Sequence, residues 1–266
     1  IKASPVVLRI LFPSERRLCD RVFSGFPAAA DLSFMEVCRP LALHMLGFSS
    51  AVAGGSRAPE RLFKLLDLLE AVRDLIPEFE ANFSDSYSVF IRNEAVEVLK
   101  KLGVAVQGVF MELENKIRRD PAKSPVPQGG LHPITRYVMN YLRAACRSVE
   151  TLDQVFEEGG TSLAVQLVWI MDLLESNLEI KADIYNDRAL RSVFLINNGS
   201  YIANKAADGE LGLLLGDDWL RKHQAKIKQL FSAYLKSSWN KLVNVLRAES
   251  NAAAAAAAGM PASSIK

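Results

Sequence analysis

Apolar residues recur along this chain with a helical period and rarely alternate. In "APERLFKLLDLLEAVRDLI", which starts at Ala58, one stripe contains Leu62, Leu65, Leu66, Leu69, Val72 and Ile76. Glu60, Lys64, Asp67 and Arg73 fall on other faces. Between Ser84 and Arg118 the stripe is Ile91, Val98, Leu102, Ala105, Val109, Leu113 and Ile117. Between Asp217 and Glu249 it is Leu220, Ile227, Leu230, Tyr234, Leu235, Leu242, Val245 and Leu246. A helix over that last span would be roughly 50 Å long, more than a small globule is wide. The pattern therefore predicts an all-α fold, an elongated rod of stacked antiparallel helix pairs. The segment "SLAVQLVWIMDLLESNL", from Ser162, has little polar face and is expected to be buried on most sides.

Prolines divide these helices. Pro5, Pro13, Pro27, Pro59, Pro121, Pro125, Pro127 and Pro133 stand where helices are expected to begin or join. Pro40 and Pro77 lie inside apolar patterns and are expected to kink or split them. The linker "RRDPAKSPVPQGG" predicts two helical-bundle subdomains, 1–125 and 126–250. Residues 251–266 are expected to form a flexible, Ala-rich linker, because the seven alanines have no apolar face to dock and precede Gly-Met-Pro. The opening "IKASPVVLRI" lacks an initiator methionine and the end resembles an interrupted linker, so a fragment of a longer protein is expected.

The stretch "GGLHPITRYVMNYLRAAC", Gly129 to Cys146, has the ingredients of a phosphate loop or metal site but neither spacing. A phosphate loop needs converging glycine amides and then a lysine. A zinc site needs several His or Cys ligands, and His132 stands alone. The plainer reading is a loop ended by two glycines and a helix with Pro133 in its first turn. His44, His132 and His223 are scattered, and no nucleophile–base set is recognisable. No catalytic residue, metal or cofactor is expected, and the chain is not expected to be an enzyme.

Charge narrows the partners. The 266 residues carry a formal net charge of +2, too little for a global field that would favour nucleic acid. Cys19, Cys38 and Cys146 are widely spaced in apolar settings, as expected for reduced thiols. The triplets "NFS" at Asn82 and "NGS" at Asn198 are read as chance matches to the glycosylation pattern. No apolar run approaches the ~18 residues a membrane helix needs. Two basic clusters remain. Lys116, Arg118, Arg119 and Lys123 sit at a helix end, where cations are favoured in any case. Arg221, Lys222, Lys226 and Lys228 lie on one helix, with Lys222 and Lys226 sharing a face, and are the candidates for an anionic-surface contact.

Five stretches, "VVLRILFPSERRLCDRVFSGF", "GGLHPITRYVMNYL", "TLDQVF", "FLINNGSYI" and "LGDDWLRKH", appear in this order along nearly the whole chain. They resemble landmarks of the seventy-kilodalton subunit of the exocyst complex, the Exo-seventy family, in its large plant branch. That resemblance implies a rod of stacked helix pairs and a non-enzymatic, peripheral tether in the cytoplasm. Implied partners are other exocyst subunits, small GTPases and phosphoinositide membrane at the plasma membrane and secretory vesicles. In plants it also implies a defence role, with a pathogen effector or immune protein as partner. The family's N-terminal coiled coil and C-terminal lipid-binding helices have no counterpart in these residues. The alternative is a diverged helical-repeat module whose apolar groove takes a specific peptide or effector.

Overall fold

The structure, a computed structural model, describes residues 3–83 and 85–257. Nine α-helices follow one another in these residues: α1 Ala3–Val22, α2 Pro27–Ala53, α3 Leu62–Asn82, α4 Asp85–Arg119, α5 Pro133–Ala145, α6 Val149–Glu158, α7 Leu163–Ala182, α8 Arg188–Ala207 and α9 Glu210–Ala257. Short 3-10 turns lie at Pro59–Arg61, Pro127–Gly129 and Cys146–Ser148, and no strand occurs among the described residues. The fold is all-α, as the apolar period predicts.

The chain divides into two units by contact, and they interleave along the sequence. Described residues of 1–116 and 145–166 form one; described residues of 117–144 and 167–266 form the other. The single boundary expected near residue 125 is thus not the one that packing makes. The reason lies in α6. Phe156 meets Phe110 of α4 edge-on at 5.1 Å, Gln107 donates to the Val155 carbonyl at 2.9 Å, and Thr151 donates to Glu70 at 2.9 Å. These contacts return the segment after α5 to the first unit.

In the first unit α1 packs on α2 and α3. Phe12, Phe34, Phe79 and Phe83 form its aromatic centre, with ring centroids 5.0 Å apart for Phe34–Phe83 and 5.5 Å for Phe12–Phe83. Such tilted aromatic pairs add to their area burial. The α3 stripe is buried from Leu62 to Val72, after which Leu75 and Phe79 continue it and Ile76 is half-buried. All seven predicted stripe residues of α4 are fully buried, the last, Ile117, in the second unit.

Pro13, Pro40 and Pro77 do not end helices; they lie inside α1, α2 and α3. A proline removes one helix hydrogen bond and crowds the preceding turn. Burial on both sides offsets that cost here: Phe12 precedes Pro13, Cys38 and Ala42 flank Pro40, and Leu75 and Phe79 flank Pro77, all fully buried. The three cysteines are buried free thiols, and burial followed by the charges of Glu15 and Cys19 pushes Cys38 up to about 12.

In the second unit α8 packs along the first part of α9. Gly216, with φ 79° and ψ 160°, breaks α9 after its opening turns, so the long helix begins at Asp217 as expected. It also continues through Ala252–Ala257, where a flexible linker was expected. Alanine has the best helix propensity, and extending an existing helix avoids the cost of nucleation. The rest of the expected linker lies outside the described residues.

Two apolar surfaces depart from expectation. In α7, Leu167, Ile170, Met171, Leu174 and Leu178 are buried, but Trp169 is 49% exposed and lies under the Arg118 guanidinium at 5.8 Å. In α9 the apolar stripe is half-buried to Leu230 and exposed at Leu235, Leu242, Val245 and Leu246.

Candidate functional site

The second unit contains a polar joint built from two of the stretches that carry the family resemblance. "GGLHPITRY" turns into α5, and "FLINNGSY" forms the middle of α8. Gly129 has φ +64°, a left-handed conformation that glycine adopts without strain. A Cβ there would stand 3.0 Å from the Phe194 amide nitrogen and 3.1 Å from the Leu190 carbonyl oxygen, so α8 lies directly against the turn. Asn197 Nδ2 donates to the Gly129 carbonyl at 2.7 Å.

Asn198 is fully buried and uses both ends of its amide. Its Oδ1 accepts from the His132 amide at 3.0 Å and from Thr135 Oγ1 at 2.7 Å. Its Nδ2 donates to the Gly130 carbonyl at 3.2 Å and the Phe194 carbonyl at 2.8 Å. Those bonds fill the four places an asparagine amide offers. His132 Nδ1 in turn accepts from the Ile134 amide at 3.1 Å, capping the first turn of α5. That role requires an unprotonated Nδ1. Burial, and then the Lys181 charge, hold His132 below the usual histidine value, against the opposing pull of Asp120.

The connection before this joint is pinned by side chains at three positions spaced by four. Asn177 Nδ2 donates to the Ile117 carbonyl at 2.8 Å, Lys181 Nζ to the Asp120 carbonyl at 2.8 Å, and Tyr185 OH to the Val126 carbonyl at 2.9 Å. Lys181 is 2% exposed and also pairs with Asp120 Oδ2 at 2.9 Å. The spacing of Asn177, Lys181 and Tyr185, polar tips along one face of α7 and just past its end, is a signal that sequence reasoning missed.

A second polar group joins α7, α8 and α9. His223, 6% exposed, stacks on Trp219 with centroids 4.9 Å apart. Its Nδ1 contacts Glu175 Oε1, and its Nε2 lies 2.9 Å from the Gly199 carbonyl oxygen. Both partners are acceptors when Glu175 is ionised, so both bonds form together when the ring carries two protons. Gly199 makes the approach possible: a Cβ there would meet Ile227 Cγ1 at 3.1 Å. Lys226 completes the group through Glu175 at 2.8 Å and Glu179 at 2.7 Å.

Burial alone would push the Glu175 carboxyl up, but hydrogen bonds from His223 and Lys226 and their charges outweigh it and hold the group below the usual value. For Lys226, burial lowers and the two glutamates raise more strongly, so its net shift is upward. A carboxyl depressed by folding adds stability at neutral pH that is lost as pH falls through its folded range. Glu175→Gln should therefore flatten the loss of stability below about pH 5 relative to the wild type, read as urea midpoints across a pH series.

The basic residues singled out in sequence differ in their partners. Lys226 spends its charge on Glu175 and Glu179, and Arg221 pairs with Asp218 one turn earlier. Lys222 and Lys228 are exposed. Of the other cluster, Lys116 pairs with Glu60 at 3.3 Å. Among the described residues no three His, Cys, Asp or Glu side chains are grouped to hold a metal, and no helix is long and apolar enough to cross a membrane. The polar side chains brought together here are spent on carbonyls, amides and one another, which is the chemistry of a joint between helices.

A family profile for the C-terminal region of the Exo70 subunit of the exocyst complex matches residues 1–266. The chain is 64% identical over 260 residues to "Exocyst complex component EXO70B1" of Arabidopsis thaliana, covering 95% of this chain and 42% of that protein. It is 54% identical over 258 residues to "Exocyst complex component EXO70B2" of the same plant, covering 94% of this chain and 43% of that protein. The chain thus spans less than half the length of these relatives. The crystal structure of the S. cerevisiae exocyst component Exo70p shares the fold with a TM-score of 0.66 at 14% identity, over 90% of this chain and 55% of that one. Sequence landmarks, helical architecture and profile converge: this chain belongs to the Exo70 family of exocyst subunits.

Proposed function

We propose that this chain is a helical part of a non-enzymatic exocyst subunit that helps tether secretory vesicles to the plasma membrane during exocytosis. The observation that carries the reading is the 64% identity to a plant exocyst component across 95% of the chain. The buried polar groups support it, because they hold helices together and leave no nucleophile–base pair among the residues described above. A protein of this kind acts through surfaces, and its partners are the other exocyst subunits, with small GTPases and phosphoinositide membrane engaged by the whole protein. It works in the cytoplasm and at the periphery of the plasma membrane and secretory vesicles. Its likeness to plant relatives favours a further role in defence, with an immune protein or pathogen effector as the partner.

Affinity purification of the full-length protein from plant cytosol tests this reading. Co-purification of the remaining exocyst subunits in similar amounts is the expected result. Recovery of one unrelated partner, with no exocyst subunit, would favour a diverged helical module that binds a specific peptide or effector.

The proposed anionic-surface contact on α9 narrows from Arg221, Lys222, Lys226 and Lys228 to Arg221, Lys222 and Lys228, the three that α7 does not hold, and the test takes two of them. Arg221 and Lys228, seven residues apart, share a helix face. Its Asp218 partner and Arg221 are both largely exposed, so that pair is weak. Near an anionic membrane each such cation contributes about 1 kcal/mol. Reversing both to glutamate in the full-length protein should weaken sedimentation with anionic vesicles at low salt by about ten-fold or more. Unchanged sedimentation would make this face a solvated one.

A further inference from the structure

The first unit contains a cationic cavity that the polar joint and the α9 cluster do not involve. It has a volume of about 450 Å³ and opens between the last turn of α2 and the middle of α4. Ser50 and Gly54 line one side, Lys100, Lys101 and Val104 the other, and Arg57 the end. Three of these residues are cations and no lining residue is a carboxylate, although the whole chain has 32 cationic and 30 acidic residues. The sign of the cavity is therefore local, not inherited from the overall balance. Its volume falls within the range typical of small-ligand sites.

The cations are positioned, not scattered. Lys101 Nζ donates to Ser50 Oγ at 3.2 Å, which ties it to the mouth of the cavity. Arg57 donates one Nη1 bond to the Ala53 carbonyl at 2.8 Å. Its aliphatic part lies against α4 at Gly108, where a Cβ would come within 2.9 Å of Arg57 Cδ. Capping the end of α2 accounts for that one bond, but a guanidinium carries five N–H donors in a planar fork suited to phosphate oxygens. Capping does not account for Lys100 and Lys101, which project from a different helix. Glu97 pairs with Lys100 at 2.9 Å, but both are more than half exposed, so an anion with several charged oxygens can compete for that lysine.

We propose that this cavity is a binding site for a terminal phosphate group, with Arg57 and Lys101 as its fixed donors and Lys100 closing on the bound anion. The phosphate belongs either to a soluble phosphorylated compound or to a lipid head group, and the chemistry of recognition is the same. The test uses the full-length protein with two probes: inorganic pyrophosphate in solution, and phosphatidylcholine vesicles containing phosphatidic acid. Two variants probe the site by independent means. Lys101→Glu reverses one charge, and Val104→Trp, at a position 61% exposed, fills the cavity while leaving every cation in place. Unchanged circular dichroism and melting without ligand establish that both variants fold; Lys64→Glu, on the exposed face of α3, is the charge control.

The expected result is salt-sensitive binding by the wild type and by Lys64→Glu, weakened about ten-fold or more by each of the other two variants. Loss with pyrophosphate and no change with vesicles assigns the site to a soluble ligand. Loss with vesicles, with or without pyrophosphate binding, assigns it to a head group. If neither probe binds, or if Val104→Trp binds both as the wild type does, the cavity is not a phosphate site.

Discussion

Asn198→Ala should lower the unfolding free energy of the second unit by about 3 kcal/mol, a large fraction of the stability of an ordinary domain. The substitution removes little apolar contact. It leaves the His132 amide, the Thr135 hydroxyl and the Gly130 carbonyl without their buried partner. Each unsatisfied buried group costs about 1–3 kcal/mol, and relaxation of the turn recovers part of the sum. Trp169, Trp219 and Trp239 all lie in this unit, so intrinsic fluorescence reports its unfolding. The urea midpoint should fall with the slope unchanged. Asn197→Ala, which removes a single bond at an exposed position, should cost less, about 0.5 kcal/mol.

Lys181→Ala should have a comparable effect, about 3 kcal/mol, by a different route. The ammonium is almost wholly inside the protein, held by the carbonyl and carboxylate of Asp120. Breaking one side of a buried pair leaves the other charge uncompensated. The Asp120 side chain is 30% exposed, so water recovers part of that loss and the lower end of the usual range applies. Lys181→Met keeps much of the packing volume and should destabilise nearly as much. Adding Asp120→Asn to it should restore part of the loss, because the stranded charge is then gone. Failure of that second substitution to restore stability would mean that the lysine acts through packing.

What the sequence discloses and what it hides divide along physical lines. The stripes of α3 and α4 are legible because a 3.6-residue period is a local property. The start of the long helix at Asp217 is legible for the same kind of reason, since a glycine turn precedes it. Periodicity shows which face is apolar but not whether anything covers it, and the stripe beyond Tyr234 is exposed. Proline carries a local penalty that burial of Phe12, Cys38 and Phe79 overrides. The interleaving of the units depends on where α6 finds its partner, and that partner, α4, is some 45 residues away at Phe110 and Phe156.

The polar joint is the least legible part, although its residues stand out in the sequence. Asn198 reads there as the start of a chance glycosylation triplet, yet it is fully buried with its amide engaged at both ends. Asn82, the start of the other triplet, is also buried and donates to the Glu78 carbonyl. His132 and the two glycines suggest ligand chemistry but serve the entry to α5. No spacing rule links Thr135 to Asn198 across 63 residues. The basic cluster on α9 likewise looks continuous in sequence, and the difference lies in Glu175 and Glu179, which come from α7.

A double-mutant cycle on Thr135 and Asn198 most directly tests whether these family landmarks form a structural joint. Thr135→Val, Asn198→Ala and the double variant would be unfolded in urea with tryptophan fluorescence as the readout. A shared buried hydrogen bond predicts a coupling of about 1 kcal/mol or more between the two sites. Losses that add within about 0.5 kcal/mol would contradict the joint and leave Asn198 free for another role.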